Sequence, residues 1–218
     1  MKQKLTPRWL VIKLAGILFA AYSAYNIFIL YRNGSTLPEQ GVFITALVAA
    51  LFGLLAVFAW TSEIKNVRFQ VIRTTVFIVD LLIVFALKLR MIGRSVAYID
   101  SAKPHTVLYG ATYFMTLAGM LVLFIYYAFI LKNLPLYPRM SVILPAAAII
   151  LFLGTLILEA VLFFAFGFAM ESSPLRTMVI RPVFSLGFVG LSAYFLFPPQ
   201  ITAEDENIAK VDDTDFIV

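Results

Sequence analysis

The chain has 218 residues, 62% of them apolar and only 13% charged, against roughly 45–50% and about 25% in an ordinary soluble domain. A soluble fold of this size cannot hide that much apolar surface, so the solvent for most of these residues is lipid. With no cysteine and one histidine, His105, the chain excludes disulfides, iron–sulfur and thiolate metal centres, cysteine nucleophiles and sites built on several imidazoles.

A spanning helix needs about 20 mostly apolar residues to cross about 30 Å of hydrocarbon. Backbone groups cannot go unpaired there, so the spans are helices and not open strands. The chain starts with a basic tail, residues 1–8, carrying Lys2, Lys4 and Arg8. The first apolar run, Trp9–Tyr31, outlasts the core of a signal peptide and contains Lys13, so it reads as a retained helix. Lys13 itself reads as an anchor reaching for the headgroups. Arg32-Asn33-Gly34-Ser35 and Pro38 break the chain before the second run, Val42–Trp60; Thr61-Ser62-Glu63 and Lys65 break it before the third, Val71–Leu89. Residues 90–106 form a linker in which Arg90, Arg94 and Lys103, with Lys88 just before them, surround Val96-Ala97-Tyr98-Ile99. That mixture is expected to lie on the membrane surface.

The fourth run is Val107–Leu131, followed by Lys132-Asn133, Pro135 and Pro138. The fifth, Val142–Ala169, is longer than a span requires and holds Pro145 near its start, which predicts a tilt or a kink. The sixth is Met178–Pro198. Trp9, Tyr31, Trp60 and Tyr109 mark segment ends, where amphipathic rings favour the headgroup layer. Residues 199–218 hold Glu204, Asp205, Glu206, Asp212, Asp213 and Asp215 against Lys210 and are expected to be a disordered acidic tail.

The second half of the chain echoes the first. Leu14-Ala15-Gly16-Ile17-Leu18 returns as Leu117-Ala118-Gly119-Met120-Leu121, and Phe28-Ile29-Leu30 as Phe129-Ile130-Leu131. Leu51-Phe52 returns as Leu151-Phe152, and Arg68-Phe69-Gln70-Val71-Ile72-Arg73 as Arg176-Thr177-Met178-Val179-Ile180-Arg181. Arginine is rare beside a span, so the last match weighs most. A three-helix unit crosses the bilayer an odd number of times, and its copy must then sit upside down. The expected fold is therefore an all-α polytopic membrane protein of six transmembrane helices in two inverted three-helix repeats, residues 9–89 and 107–198, the arrangement of many transporters.

Charged and polar side chains inside the runs are the candidates for function. Asp80 lies mid-way along the third run and Glu159 past the centre of the fifth. A carboxylate at mid-membrane costs about 2.5–3.5 kcal/mol on insertion scales unless paired, wetted or protonated, so both acids are ion- or proton-responsive candidates. Neither has an acidic counterpart in the other repeat. Arg73 and Arg181 occupy the first turns of the third and sixth helices, as pathway or anchoring residues at opposite mouths. Tyr22, Tyr25 and Asn26 on the first helix, and Tyr113 on the fourth, are candidates for lining a wet cavity.

No serine-hydrolase, zinc-protease or phosphate-loop motif is present in the sequence, so no enzyme is expected, and no residue set asks for a metal or a cofactor. The basic residues flank apolar runs, which fits membrane-edge anchoring and not nucleic acid. The expectation is a small transporter or channel of a bacterial plasma membrane, both termini cytoplasmic, using mid-membrane carboxylates for ion or proton coupling. The alternative is a non-catalytic accessory or scaffold subunit that docks a protein partner through its helix faces or acidic tail.

Overall fold

Helices begin where prolines and small polar caps allow, not where the apolar runs begin. A computed structural model describes residues 6–64, 66–96, 99–100, 103–131, 138–167 and 179–197. α1 (Pro7–Asn33) starts on Thr6, whose Oγ1 accepts a hydrogen bond from the Trp9 N–H at 3.2 Å. Pro7 takes the first turn, where a missing N–H costs nothing. α2 (Glu39–Trp60) follows Pro38, and α4 (Pro104–Leu131) and α5 (Pro138–Phe166) each open on a proline. α3 (Val67–Val96) runs past Leu89, so the first part of the expected linker is helical and Lys88 belongs to a helix.

α5 continues unbroken through Pro145. It stops at Gly167, whose φ of 59° and N–H bond to the Phe163 carbonyl at 3.1 Å make the left-handed cap that glycine adopts without a Cβ penalty. α6 (Arg181–Leu196) has 16 residues, about 24 Å of helix, and is shorter than the expected sixth run. A wider π-type turn over residues 179–180 leads into it. No strand occurs among the described residues. Residues 1–5 of the basic tail, Arg176 to Met178, Lys132-Asn133 and the acidic tail lie outside the described residues.

The first five helices are long and apolar enough to cross a membrane, and the sorting of side chains suits lipid. Phe43, Ile150, Ile157 and Phe164 are exposed, while Ser23, Thr112, Thr155, Glu159, Ser185 and Ser192 are buried. Apolar outside and polar inside is stable only where the surroundings are oil. The chain is a multi-pass membrane protein.

α1 packs on α2 and α6, and α4 on α3 and α5; α5 also packs on α6, while α2 touches α3 only slightly. Gly16 and Gly119 set two of these approaches. A Cβ at Gly16 would stand 3.0 Å from the Ala59 Cβ, and one at Gly119 2.9 Å from the Phe152 ring. Small residues are what let helices come together in lipid. The centre is aromatic: Phe152 stacks on Phe188 at 5.1 Å, and Phe19, Phe52 and Phe184 close around Phe188.

The contacts define two ends of the bundle. At the first end the start of α1 meets the end of α2 through Lys13, whose Nζ donates to the Trp60 carbonyl at 2.6 Å. Lys13 is buried, with its ammonium held by that carbonyl at the end of α2. The first end also holds the start of α3 and the end of α4, where Phe77 meets Tyr127 at 4.1 Å. At the second end the start of α4 meets the end of α5 through His105 and Phe166, and α6 begins.

Candidate functional site

Lipid makes the unpaired ends of a helix expensive, and at the first end cations satisfy them. Arg73 Nη1 donates to the Thr61 carbonyl, and its guanidinium lies 5.2 Å over the Phe58 ring. Together with Lys13 it caps the C-terminus of α2, where positive charge complements the helix dipole. No carboxylate pairs with Arg73 among the described residues. Phe58, Phe77 and Tyr127 pack beside it and fill that end with rings.

The second end is built differently. Arg181 Nε donates to Glu159 Oε1 at 2.7 Å, with the two side chains 11% and 5% exposed. The guanidinium also lies 5.4 Å over the Tyr113 ring, and the Tyr109 hydroxyl donates to that of Tyr113 at 3.3 Å. Glu159 Oε2 is buried with no hydrogen-bond partner.

A cavity of about 50 Å³ opens beside this pair, room for about three to five waters at 10–15 Å³ each. α1 supplies Tyr22, Tyr25 and Asn26, α3 supplies Lys88 and α4 supplies Thr116; Glu159 comes from α5, and Arg181, Phe184 and Ser185 from the first turns of α6. Lys88 Nζ sits 4.4 Å over the Phe184 ring. Tyr25, Lys88 and Glu159 fall seven or eight residues before the ends of their helices, which sets the cavity about 10–12 Å inside the second end. Among the described residues its lining thus carries two cations and one carboxylate. In such surroundings charge interactions are far stronger than in water, and a charge left without compensation is correspondingly costly.

The structure therefore brings five of the eight candidates to one place: Tyr22, Tyr25, Asn26, Glu159 and Arg181. Tyr113 does not line the cavity but covers Arg181. Arg73 belongs to the opposite end. Asp80 lies off the cavity, on the face of α3 that buries Phe77, Leu81 and Val84. Its Oδ2 has no hydrogen-bond partner, and it forms no ion pair among the described residues. Glu159, by contrast, has the cation that the sequence left unassigned.

Lys88, Thr116 and Ser185 were missed. The signal for Lys88 was available: it continues the buried spacing of Phe77, Leu81 and Val84 along α3, one face of a 3.6-residue period. No group of three or more His, Cys, Asp or Glu side chains that could hold a metal occurs among the described residues. Compared with known proteins, the chain matches no family model, no curated protein and no solved structure.

Proposed function

We propose that this membrane protein is a small transporter or channel in which Glu159, held by Arg181, is the ion- or proton-responsive group. The observation that carries the reading is a polar cavity, lined by a buried ion pair, inside a bundle whose exterior is oil. A buried pair is weak as a source of stability, because desolvation offsets most of its attraction. Its presence beside space for water argues for use. Glu159 Oε1 is committed to Arg181 and Oε2 has no partner, so Oε2 is where a proton would be taken and released. Asp80 lies off the cavity, and the proposed role rests on Glu159 alone.

The inverted repeat belongs to the same proposal. It is supported by Gly16 and Gly119 closing the α1–α2 and α4–α5 approaches, by Phe52 and Phe152 both meeting Phe188, and by Arg73 and Arg181 standing at opposite ends of the bundle, although only Arg181 lies in the first turn of its helix and Arg73 is the seventh residue of α3. Two related halves could exchange conformations, closing the second end while opening the ring-filled first end. The basic tail favours a bacterial plasma membrane with both termini cytoplasmic.

Because the chain has no cysteine, one introduced thiol gives a clean test. The purified protein and S185C are reconstituted, and an imposed pH gradient is followed before and after a thiol reagent. Both proteins should dissipate the gradient, and the reagent should block S185C alone. Absence of dissipation, or full activity of completely labelled S185C, would overturn the reading.

One observation favours the accessory-subunit alternative. The slight α2–α3 seam leaves an open groove of about 460 Å³ lined by Phe43, Ile44, Leu47 and Leu87, with Glu39 and Arg90 at its rim. A partner's apolar helix fits such a groove. Stoichiometric co-purification of a partner, with no flux from the chain alone, would decide for it.

A further inference from the structure

The seam between α2 and α3 is closed towards one end of the bundle and open at the other. At the first end Phe58 stacks on Phe77 at 4.5 Å, and Leu51, Leu55 and Phe58, on one face of α2, are buried. That face continues at helical spacing through Leu47 and Ile44 to Phe43, and there the two helices part. Phe43 is 67% exposed, and with Leu47 and Leu87 it lines the open groove of about 460 Å³, within the range of about 300–1,000 Å³ of ligand clefts. From Glu39 to Leu47 the groove follows α2 for eight residues, about 12 Å. The hydrocarbon of one leaflet is about 15 Å deep, half of about 30 Å. A spanning helix, whether a partner's or a second copy's, would follow this seam for less than half its length before meeting the closed part at Leu51. One acyl chain needs only the leaflet.

The rim narrows the headgroup. The apolar spans of α2 and α3 end at Glu39 and Arg90, which places both charges at headgroup depth, with Gln40 beside them on the groove. Neither charge forms an ion pair among the described residues. A guanidinium pairs with a phosphate through two parallel hydrogen bonds. A carboxylate accepts from a primary ammonium, which has three donors, whereas a quaternary ammonium has none. We propose that the groove binds one glycerophospholipid, with an acyl chain against Phe43, Leu47 and Leu87, the phosphate on Arg90 and a primary ammonium of the headgroup on Glu39. The groove opens on the outside of the bundle, so the site stands whether or not the cavity conducts.

The test adds lipids to the delipidated full chain in detergent and counts bound lipid by native mass spectrometry. Phosphatidylethanolamine, phosphatidylcholine and phosphatidylglycerol with identical acyl chains are compared. One phosphatidylethanolamine should bind, about tenfold more tightly than either of the others. L47W, which fills the groove, should abolish that binding, while I150W, at an exposed position of α5, should leave it intact. R90M should weaken all three lipids by about tenfold, and R90K should restore part of the loss. E39Q should cut the preference for the primary ammonium to about twofold or less. Glu39 and Arg90 are exposed, so these variants read the site even where L47W disturbs packing. A phosphatidylethanolamine with a photoreactive acyl chain should label α2 near Leu47 and α3 near Leu87. Binding that R90M leaves unchanged, or labelling spread evenly over the exposed helix faces, would overturn the site. Equal binding of the three headgroups by the unaltered chain would overturn the assignment of the headgroup. A dimer that L47W splits, or a partner chain lost from L47W, with no lipid retained by the unaltered chain, would give the groove to a protein helix and overturn the proposal.

Discussion

Arg73 and Arg181 each end an Arg-x-x-Val-Ile-Arg stretch of the sequence and do different work. Arg73 spends its charge on the Thr61 carbonyl and the Phe58 ring, at an end filled with aromatic side chains. Arg181 meets the Glu159 carboxylate beside space for water. The first arrangement closes a helix end, whereas the second keeps a charge pair in the bundle at a cost. One acidic residue makes the difference: Glu159 stands in α5, while α2 carries no acidic residue beyond Glu39 at its start.

The comparison breaks most sharply at the ion pair. R181M should lower stability in detergent by about 3–5 kcal/mol, since it strands a buried carboxylate. R181M/E159Q should recover most of that loss, and thermal unfolding of the four proteins gives the coupling directly. If the double variant is no better than R181M, Glu159 is not the partner that matters.

Next in size comes overpacking. G119V should cost about 1–3 kcal/mol, because a Cβ there already stands 2.9 Å from the buried Phe152 ring. G16V should cost a similar amount against Ala59 and Trp60. Equal losses in the two would strengthen the correspondence of the halves, and a large inequality in unfolding temperature would weaken it.

R73M should cost less than R181M, about 1.5–3 kcal/mol for a charged hydrogen bond to a carbonyl. Its effect should add to that of E159Q within about 0.5 kcal/mol, as for distant sites. Coupling above that range would join the two ends energetically and break the contrast between them. Smallest of all, D80N should change stability by less than about 1 kcal/mol, because it keeps the shape of a side chain that has no ion-pair partner among the described residues.

The helices were largely legible because lipid imposes a simple requirement on length and apolarity. Their ends were not, because ends follow caps: Pro7, Pro104 and Pro138 start helices two to four residues before the apolar runs. The sixth run differs in the other direction, since the helix described there begins only at Arg181. The polar residues of α1 could be chosen from sequence, as could Glu159 and Arg181, since each is unusual inside a span. Their joining was hidden. Nothing in one helix's periodicity says which neighbour it faces, so Asp80 and Glu159 looked equivalent until packing put one on the cavity and the other in the core. Lys88 was obscured by its basic neighbours, although its spacing from Val84 placed it on the buried face.

The most direct measurement is proton uptake by reconstituted protein carrying E159Q, set beside D80N and the unaltered chain under one imposed pH gradient. The expected result is uptake by the unaltered chain and by D80N, and none by E159Q. Uptake by E159Q at the unaltered rate would contradict the assignment of the second end as the working site.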